Sequence, residues 1–243
     1  MQTWGVTDTG LVRAENQDAF AIDVIAGTTA AVVCDGMGGT GGGQLASSIA
    51  VDTFRQALND ELKENISQEQ LSKALERCII RVNHAIRAES IKHAGYERMG
   101  TTLVSALVRD ASVTIVNVGD SRAYHVSSGG IRQISRDHSV VENMIEQGEL
   151  TPQQARHHPN RNLITRALGP EKSVKADQFR LTWAKDEFIL LCSDGLVNTV
   201  TDQELLFEII HGGAPDDCLD RLLALAKRRG APDNVTAVLL YNA

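Results

Sequence analysis

Short strand-forming runs that are apolar at nearly every position recur along this chain, and they constrain its fold more than any other feature. Residues 29–34, 188–192 and 235–241 are of this kind, and 101–108 and 113–118 are largely apolar. A strand with one wet face would instead alternate apolar and polar residues. Runs without that alternation belong to sheets covered on both faces. Residues 4–7, 19–24 and 123–126 add three shorter candidates.

The connections between the runs narrow the choice further. Two helices are expected between residues 34 and 101. The first spans about 43–62. The second begins after Ser67, an N-cap with Gln70 three residues on, and places Leu71, Leu75, Cys78, Ile79, Val82 and Ile86 on one stripe. The strands between 101 and 134, by contrast, follow one another through short polar turns. Strand runs alternating with helical hairpins predict an α+β fold of antiparallel sheets with helices outside, not a repeating βαβ unit. Thr151-Pro152 opens a short helix within the polar stretch 142–168, which reads as an insertion flanking a site. Thr201 and Glu204 form another capping box, and Leu219, Leu222, Leu223 and Ala226 line a last amphipathic helix. The chain shows no repeat, linker or low-complexity segment. Its 243 residues, 42% hydrophobic and 23% charged, are expected to form a single domain, 1–243.

The net charge of −7 disfavours a nucleic-acid or anionic-membrane partner, since either would call for a basic stripe. No window approaches the ~18 apolar residues of a membrane span, and the N-terminus lacks a basic region followed by an apolar one. Cys34, Cys78, Cys192 and Cys218 show no Cys-x-x-Cys pairing and read as buried, reduced thiols. A soluble cytoplasmic protein is the expectation.

The recurring chemical feature is an aspartate where an apolar run stops. Asp35 follows 30–34, Asp120 follows 114–119, Asp194 follows 189–193, and Asp233 precedes 235–241. One such aspartate is ordinarily a turn-former or helix cap. Four brought to one sheet edge would repel one another unless cations neutralised them. Oxygen ligands without histidine or cysteine at zinc spacing favour Mg2+ or Mn2+ over Zn2+. Carboxylates holding two such ions are a standard arrangement for phosphoryl chemistry.

The motifs Gly10-Leu-Val-Arg13-Ala-Glu-Asn16-Gln17-Asp18, Asp35-Gly36-Met37-Gly38-Gly39, Met99-Gly100-Thr101-Thr102, Gly119-Asp120-Ser121-Arg122, Asp137-His138, Ser193-Asp194-Gly195 and Asp233-Asn234 occur in this order along the chain. Together they resemble the bacterial branch of the PP2C-like (PPM) protein phosphatases. The resemblance implies a four-layer α/β/β/α sandwich, two antiparallel sheets flanked by helical pairs, with a metal cleft at one edge. It implies hydrolysis of phosphoserine and phosphothreonine in proteins by a metal-activated water, in opposition to serine/threonine kinases. On this resemblance Asp18, Asp35, the Gly36 carbonyl, Asp194 and Asp233 would hold two Mn2+ or Mg2+ ions. Asp120 would serve a weaker third site shared with Asp194, Arg13 would hold the substrate phosphate, and 142–168 would be the flap beside the cleft. Phosphorylated proteins, a kinase among them, would be the partners of a monomeric enzyme.

The chain departs from the pattern at Thr40, where many relatives have a histidine proposed as general acid. His138 reads as a structural residue at the start of a helix, and His157 and His158 as solvent-facing. The Gly-rich segment 38–43 is not followed by the Lys-Ser/Thr of a P-loop. No Cys-x5-Arg loop of cysteine-based phosphatases is present. The alternative reading is a pseudophosphatase that binds phosphoproteins without turnover.

Overall fold

The computed structural model describes residues 1–243 apart from Thr40 and His93. Its strands form two antiparallel sheets. The first has the order β1 (Gln2–Asp8), β11 (Val235–Tyr241), β10 (Phe188–Cys192), β7 (Arg122–Ser127) and β8 (Gly130–Gln133). The second has the order β2 (Asp18–Ile25), β3 (Thr28–Met37), β5 (Leu103–Arg109), β6 (Ser112–Val118) and β9 (Asp177–Thr182), and the two-residue β4 (Gly100–Thr101) also pairs with β3.

The apolar runs are explained by what lies on each side of them. On β3, Ala31 and Val33 face the other sheet and pack with Val104, Ile115, Ile189, Leu191 and Val238. The alternate residues Ala30, Val32 and Cys34 face outward, onto α1 (Gly42–Glu61) and α2 (Gln68–Ser90), where they meet Phe54, Leu58, Leu75 and Ile79. In the first sheet Leu190, Cys192, Ala237 and Leu239 face α5 (Asp194–Val197), α6 (Asp202–His211) and α7 (Cys218–Arg228). Every central strand is therefore dry on both faces, and the molecule is the expected α/β/β/α sandwich.

The capping boxes at Ser67, Thr151 and Thr201 all form and open α2, α4 (Pro152–Ala155) and α6. All four cysteines are buried and unpaired. Two strands had no expectation, β8 and β9, and each is the last strand of its sheet. An edge strand keeps a wet side, so Asp177–Thr182 mixes charged and apolar residues and lacks the signal that marks the interior strands. The short α5 was likewise not expected, whereas α3 (Val140–Glu146) is the helix expected after His138. No described helix is long and apolar enough to cross a membrane.

The topology gathers chemistry at one end of the sandwich. Asp18 at the start of β2 is directly opposite Asp35 on β3. Asp194 follows the end of β10, and Asp233 precedes the start of β11, the antiparallel neighbour of β10. Asp120 lies in the turn between β6 and β7, which carries the chain from one sheet to the other.

Candidate metal centre

A cleft of 530 Å3 opens at this end, lined by Arg13, Asp35, Gly36, Asp120, Asp194 and Asp233 among others. Asn162 and Ile164, from the 142–168 stretch, form part of its wall. Asp18 lies buried at 8% exposure, beneath the residues that line the cleft. The structure thus brings together Asp18, Asp35, Asp120, Asp194 and Asp233, the five aspartates named as metal ligands. It differs on one detail: β3 does not stop at Asp35 but runs on to Met37, because Gly36 and Met37 pair with β4.

Two glycines make the approach possible. A Cβ on Gly36 would lie 2.0 Å from the Gly43 carbonyl oxygen at the start of α1, and one on Gly195 would lie 1.9 Å from the Asn234 carbonyl oxygen. Only glycine lets these backbones meet behind the carboxylates.

Hydroxyl and amide side chains hold the carboxylates in place, a role that the sequence pattern did not reveal. Ser193 Oγ donates to Asp18 Oδ2 at 2.7 Å. The Asp35 amide donates to Thr102 Oγ1 at 2.9 Å, and Thr102 Oγ1 lies 2.6 Å from Ser121 Oγ, next to Asp120. Asn198 Nδ2 donates to Asp194 Oδ2 at 3.1 Å. Asn234 accepts from the Gln17 amide and donates to the Thr9 and Glu15 carbonyls, which pins the loop carrying Arg13 to the start of β11. A signal was available in the motifs, where Ser193, Thr102 and Asn234 sit beside or near the aspartates, but their partners lie far away in sequence.

The electrostatics of the cluster are those of crowded, buried carboxylates. Burial pushes Asp18 up to about 6, and the neighbouring Asp194 and Asp233 add to it, against the hydrogen bond from Ser193. Burial and then Asp233 push Asp194 to about 6, and burial with Asp194 and Asp137 pushes Asp120 to about 8. Asp35 is driven well above the carboxylate range, first by burial and then by Asp18, Asp194, Asp120 and Asp233. Arg13 offsets part of this charge: its Nη2 donates to Asp233 Oδ2 at 2.6 Å.

As placed, no three His, Cys, Asp or Glu side chains among the described residues close around a single point that could hold a metal ion. Several carboxylate oxygens are turned instead to the protein partners just named. The donor chemistry nevertheless fits hard divalent cations, and one atom asks for such a partner. Asp18 Oδ1 is buried without a hydrogen-bond partner, the only described carboxylate oxygen in that condition. A buried carboxylate oxygen left without donor or cation is costly, and an ion relieves it together with the repulsion among its neighbours.

Of the three histidines singled out, His138 and His157 are placed as expected and His158 is less exposed than expected. His138 is buried, whereas His157 is exposed and His158 half-buried. Thr40, where a general acid was sought, lies outside the described residues. Asp137 is not in the cleft lining. It receives a forked contact from Arg122, with Nε at 3.0 Å and Nη2 at 2.7 Å, and Gln133 donates to it as well. Asp137→Ala would leave Arg122 without its carboxylate. The expected loss is about 3 kcal/mol, at the lower end of the range for broken buried pairs because the Arg122 side chain keeps 28% exposure. Urea denaturation of the two proteins checks it.

A four-layer sandwich with a carboxylate-lined cleft at one end is suited to hydrolysis with divalent cations. Comparison with known proteins makes the class specific. The protein phosphatase 2C family profile matches residues 12–232. The serine/threonine phosphatase Stp of Listeria monocytogenes is 34% identical over 238 residues, covering 96% of this chain and 93% of that protein. PstP of Mycobacterium tuberculosis, a serine/threonine protein phosphatase, is 36% identical over 96% of this chain and 43% of its own length. The crystal structure of the serine/threonine phosphatase Stp1 from Staphylococcus aureus superposes with a TM-score of 0.92 at 38% identity, covering 98% of this chain and 93% of that one. This chain belongs to the protein phosphatase 2C family, and with it to the protein-serine/threonine phosphatases, enzymes that act on phosphorylated proteins and generally depend on Mn2+ or Mg2+.

Proposed function

We propose that this phosphatase hydrolyses phosphoserine and phosphothreonine at the carboxylate cleft, with Asp18, Asp35, the Gly36 carbonyl, Asp194 and Asp233 holding two Mn2+ or Mg2+ ions. Asp120, with Asp194, serves a weaker third ion. The observation that carries the reading is the partnerless, buried Asp18 Oδ1 within a group of mutually repelling carboxylates. Bound there, the ions supply neutralising charge and the Lewis acidity that makes water a nucleophile at neutral pH.

The side chains of the protein perform the remaining tasks. Ser193 and Asn198 orient the Asp18 and Asp194 carboxylates, and Thr102 holds the Asp35 backbone, so that little reorganisation accompanies reaction. Arg13 stands at the mouth with its side chain 55% exposed, where a planar guanidinium can grip phosphate oxygens in a forked contact. Asn234 holds the Arg13 loop at a fixed distance from Asp233. None of the four cysteines is placed as a nucleophile: Cys34 and Cys192 are fully buried, and burial raises the thiol pKa of all four. A phosphoenzyme on cysteine is thus disfavoured.

Arg13→Ala is expected to raise KM for a phosphothreonine peptide about 10- to 100-fold, the value of a charge-assisted contact, and Arg13→Lys to restore only part of it. The Arg13–Asp233 pair is too exposed for either change to cost more than about 1 kcal/mol of stability. Steady-state kinetics beside a thermal melt separate the two effects.

In this reading the chain forms one catalytic domain, 1–243, with 142–168 as its flap. It works as a cytoplasmic monomer on proteins phosphorylated by serine/threonine kinases, and on such a kinase itself. Mn2+-dependent hydrolysis of p-nitrophenyl phosphate that stops with EDTA tests the enzymatic reading, and a purely phosphoprotein-binding chain would show none.

A further inference from the structure

We infer that His138 is a positioning residue: it fixes the Gly119–Asp120 turn and joins that turn to the base of the 142–168 segment. The functional part of the inference rests on the reading of Asp120 as a metal ligand.

The contacts are of two kinds. The first holds the residue before Asp120. The His138 amide donates to the Gly119 carbonyl at 2.9 Å, and the Gly119 amide donates back to His138 Nδ1 at 2.9 Å. Gly119 is therefore clamped through both of its backbone polar groups by one residue, with Asn117 Nδ2 giving its carbonyl a further bond at 3.2 Å. The second kind reaches the cleft wall. The Thr165 amide donates to the His138 carbonyl at 2.7 Å, Ser139 bridges Ile164, and the Val140 amide donates to the Leu163 carbonyl at 2.8 Å. Ile164 lines the cleft. A continuous path of short bonds thus runs from the Asp120 turn through His138 to the cleft wall.

The ring's protonation follows from its partners. A backbone N–H is always a donor, so Nδ1 carries no proton and the ring is neutral with its proton on Nε2. Nε2 then donates to Asp177 Oδ2 at 3.2 Å. Arg166 Nη1 lies 2.8 Å from the same nitrogen and also donates to Asp177 Oδ1 and the Lys175 carbonyl. The ring is 5% exposed, and Asp177 and Arg166 fix its plane. A role confined to starting α3 is not what these bonds describe. The helix is capped by Ser139, whose hydroxyl accepts from the Glu142 amide, and the ring's bonds go to Gly119 and Asp177.

The test compares two amides that differ in where they place an acceptor. The side-chain oxygen of His138→Asn falls near the position of Nδ1, whereas that of His138→Gln falls near Nε2. In protein kept in EDTA, the Gly119 amide is expected to exchange with deuterium at least about tenfold faster in H138Q than in wild type, and at close to the wild-type rate in H138N. With Mn2+ restored, H138Q is expected to need about 5- to 10-fold more Mn2+ for half-maximal hydrolysis of a phosphothreonine peptide, with kcat at saturating Mn2+ within about 2-fold of wild type, and H138N to recover the lower requirement. Equal effects of the two variants on exchange and on the Mn2+ requirement would reduce His138 to a packing residue and overturn the inference. If H138Q does not fold, the wild-type protein decides: a Gly119 amide that exchanges as fast as exposed loop amides contradicts the clamp. Asp120→Asn separates the two readings, since an unchanged Mn2+ requirement in D120N would remove Asp120 as a ligand while leaving the exchange result standing.

Discussion

Asp18→Asn and Asp194→Asn are each expected to lower kcat/KM for a phosphothreonine peptide by about a thousand-fold or more at saturating Mn2+, the equivalent of several kcal/mol of lost transition-state stabilisation. Neither change should unfold the protein. Asparagine keeps the volume of aspartate and can still accept the bond from Ser193 or Asn198. It removes one negative charge from a group in which burial and mutual repulsion already oppose ionisation. In chelator, therefore, both variants are expected to melt at or above the wild-type temperature at pH 8 while being catalytically silent. Activity measured beside a melting curve distinguishes this outcome from simple misfolding, which would lower both.

The second large effect is a pH dependence of stability that a divalent cation abolishes. Asp18 and Asp194 titrate at about 6 and Asp120 at about 8 in the folded chain, and Asp35 is raised well above its ordinary 3.8. The folded state therefore binds more protons than the unfolded state between about pH 4 and pH 8. The associated stability is fully present below the unfolded pKa and is lost as pH rises through the folded values. Between pH 5 and pH 8 a carboxyl that titrates at about 6 loses about 1.4 kcal/mol, so Asp18 and Asp194 together account for about 3 kcal/mol and the melting temperature in EDTA is expected to fall by at least about 6–12 °C. Asp8, Asp23 and Asp177 have lowered values and act in the opposite sense, but they finish titrating below this window. His138, kept neutral mainly by burial, also opposes the trend, below its ordinary 6.5. Saturating Mn2+ should flatten the curve, because a cation neutralises the carboxylates in the state that otherwise needs protons. A melting temperature in EDTA that rises from pH 5 to pH 8 would contradict the electrostatic reading of the cluster.

Much of this was legible in the sequence for a physical reason. Central strands covered on both faces leave uninterrupted apolar runs, and amphipathic helices with capping boxes leave a 3.6-residue stripe with defined starts, so both sheets and the long helices could be placed. Edge strands such as β8 and β9 carry neither signal. At the site, Asp35, Asp120, Asp194 and Asp233 stood out because each borders an apolar run, whereas Asp18 was named only by the family resemblance. The supporting contacts did not stand out, since Ser193 to Asp18 and Asn234 to Gln17 span 175 and 217 residues of chain. Only the packing of one sheet on the other, which sets the start of β2 beside the end of β10 and the start of β11, brings those partners together. The double hydrogen bond between His138 and Gly119 was hidden for the same reason: the expectation of a structural histidine beside a helix was sound, but its ring serves a turn 19 residues earlier in the chain.

Phosphate release from a phosphothreonine peptide, followed as Mn2+ is titrated into EDTA-stripped protein, tests most directly whether the carboxylate cleft is a metal-dependent phosphatase site. Release is expected to be absent in chelator, to return as Mn2+ is added, and to stay absent in Asp194→Asn at every Mn2+ concentration. Release that persists in excess EDTA, or that Asp194→Asn retains, would contradict the assignment of the cleft.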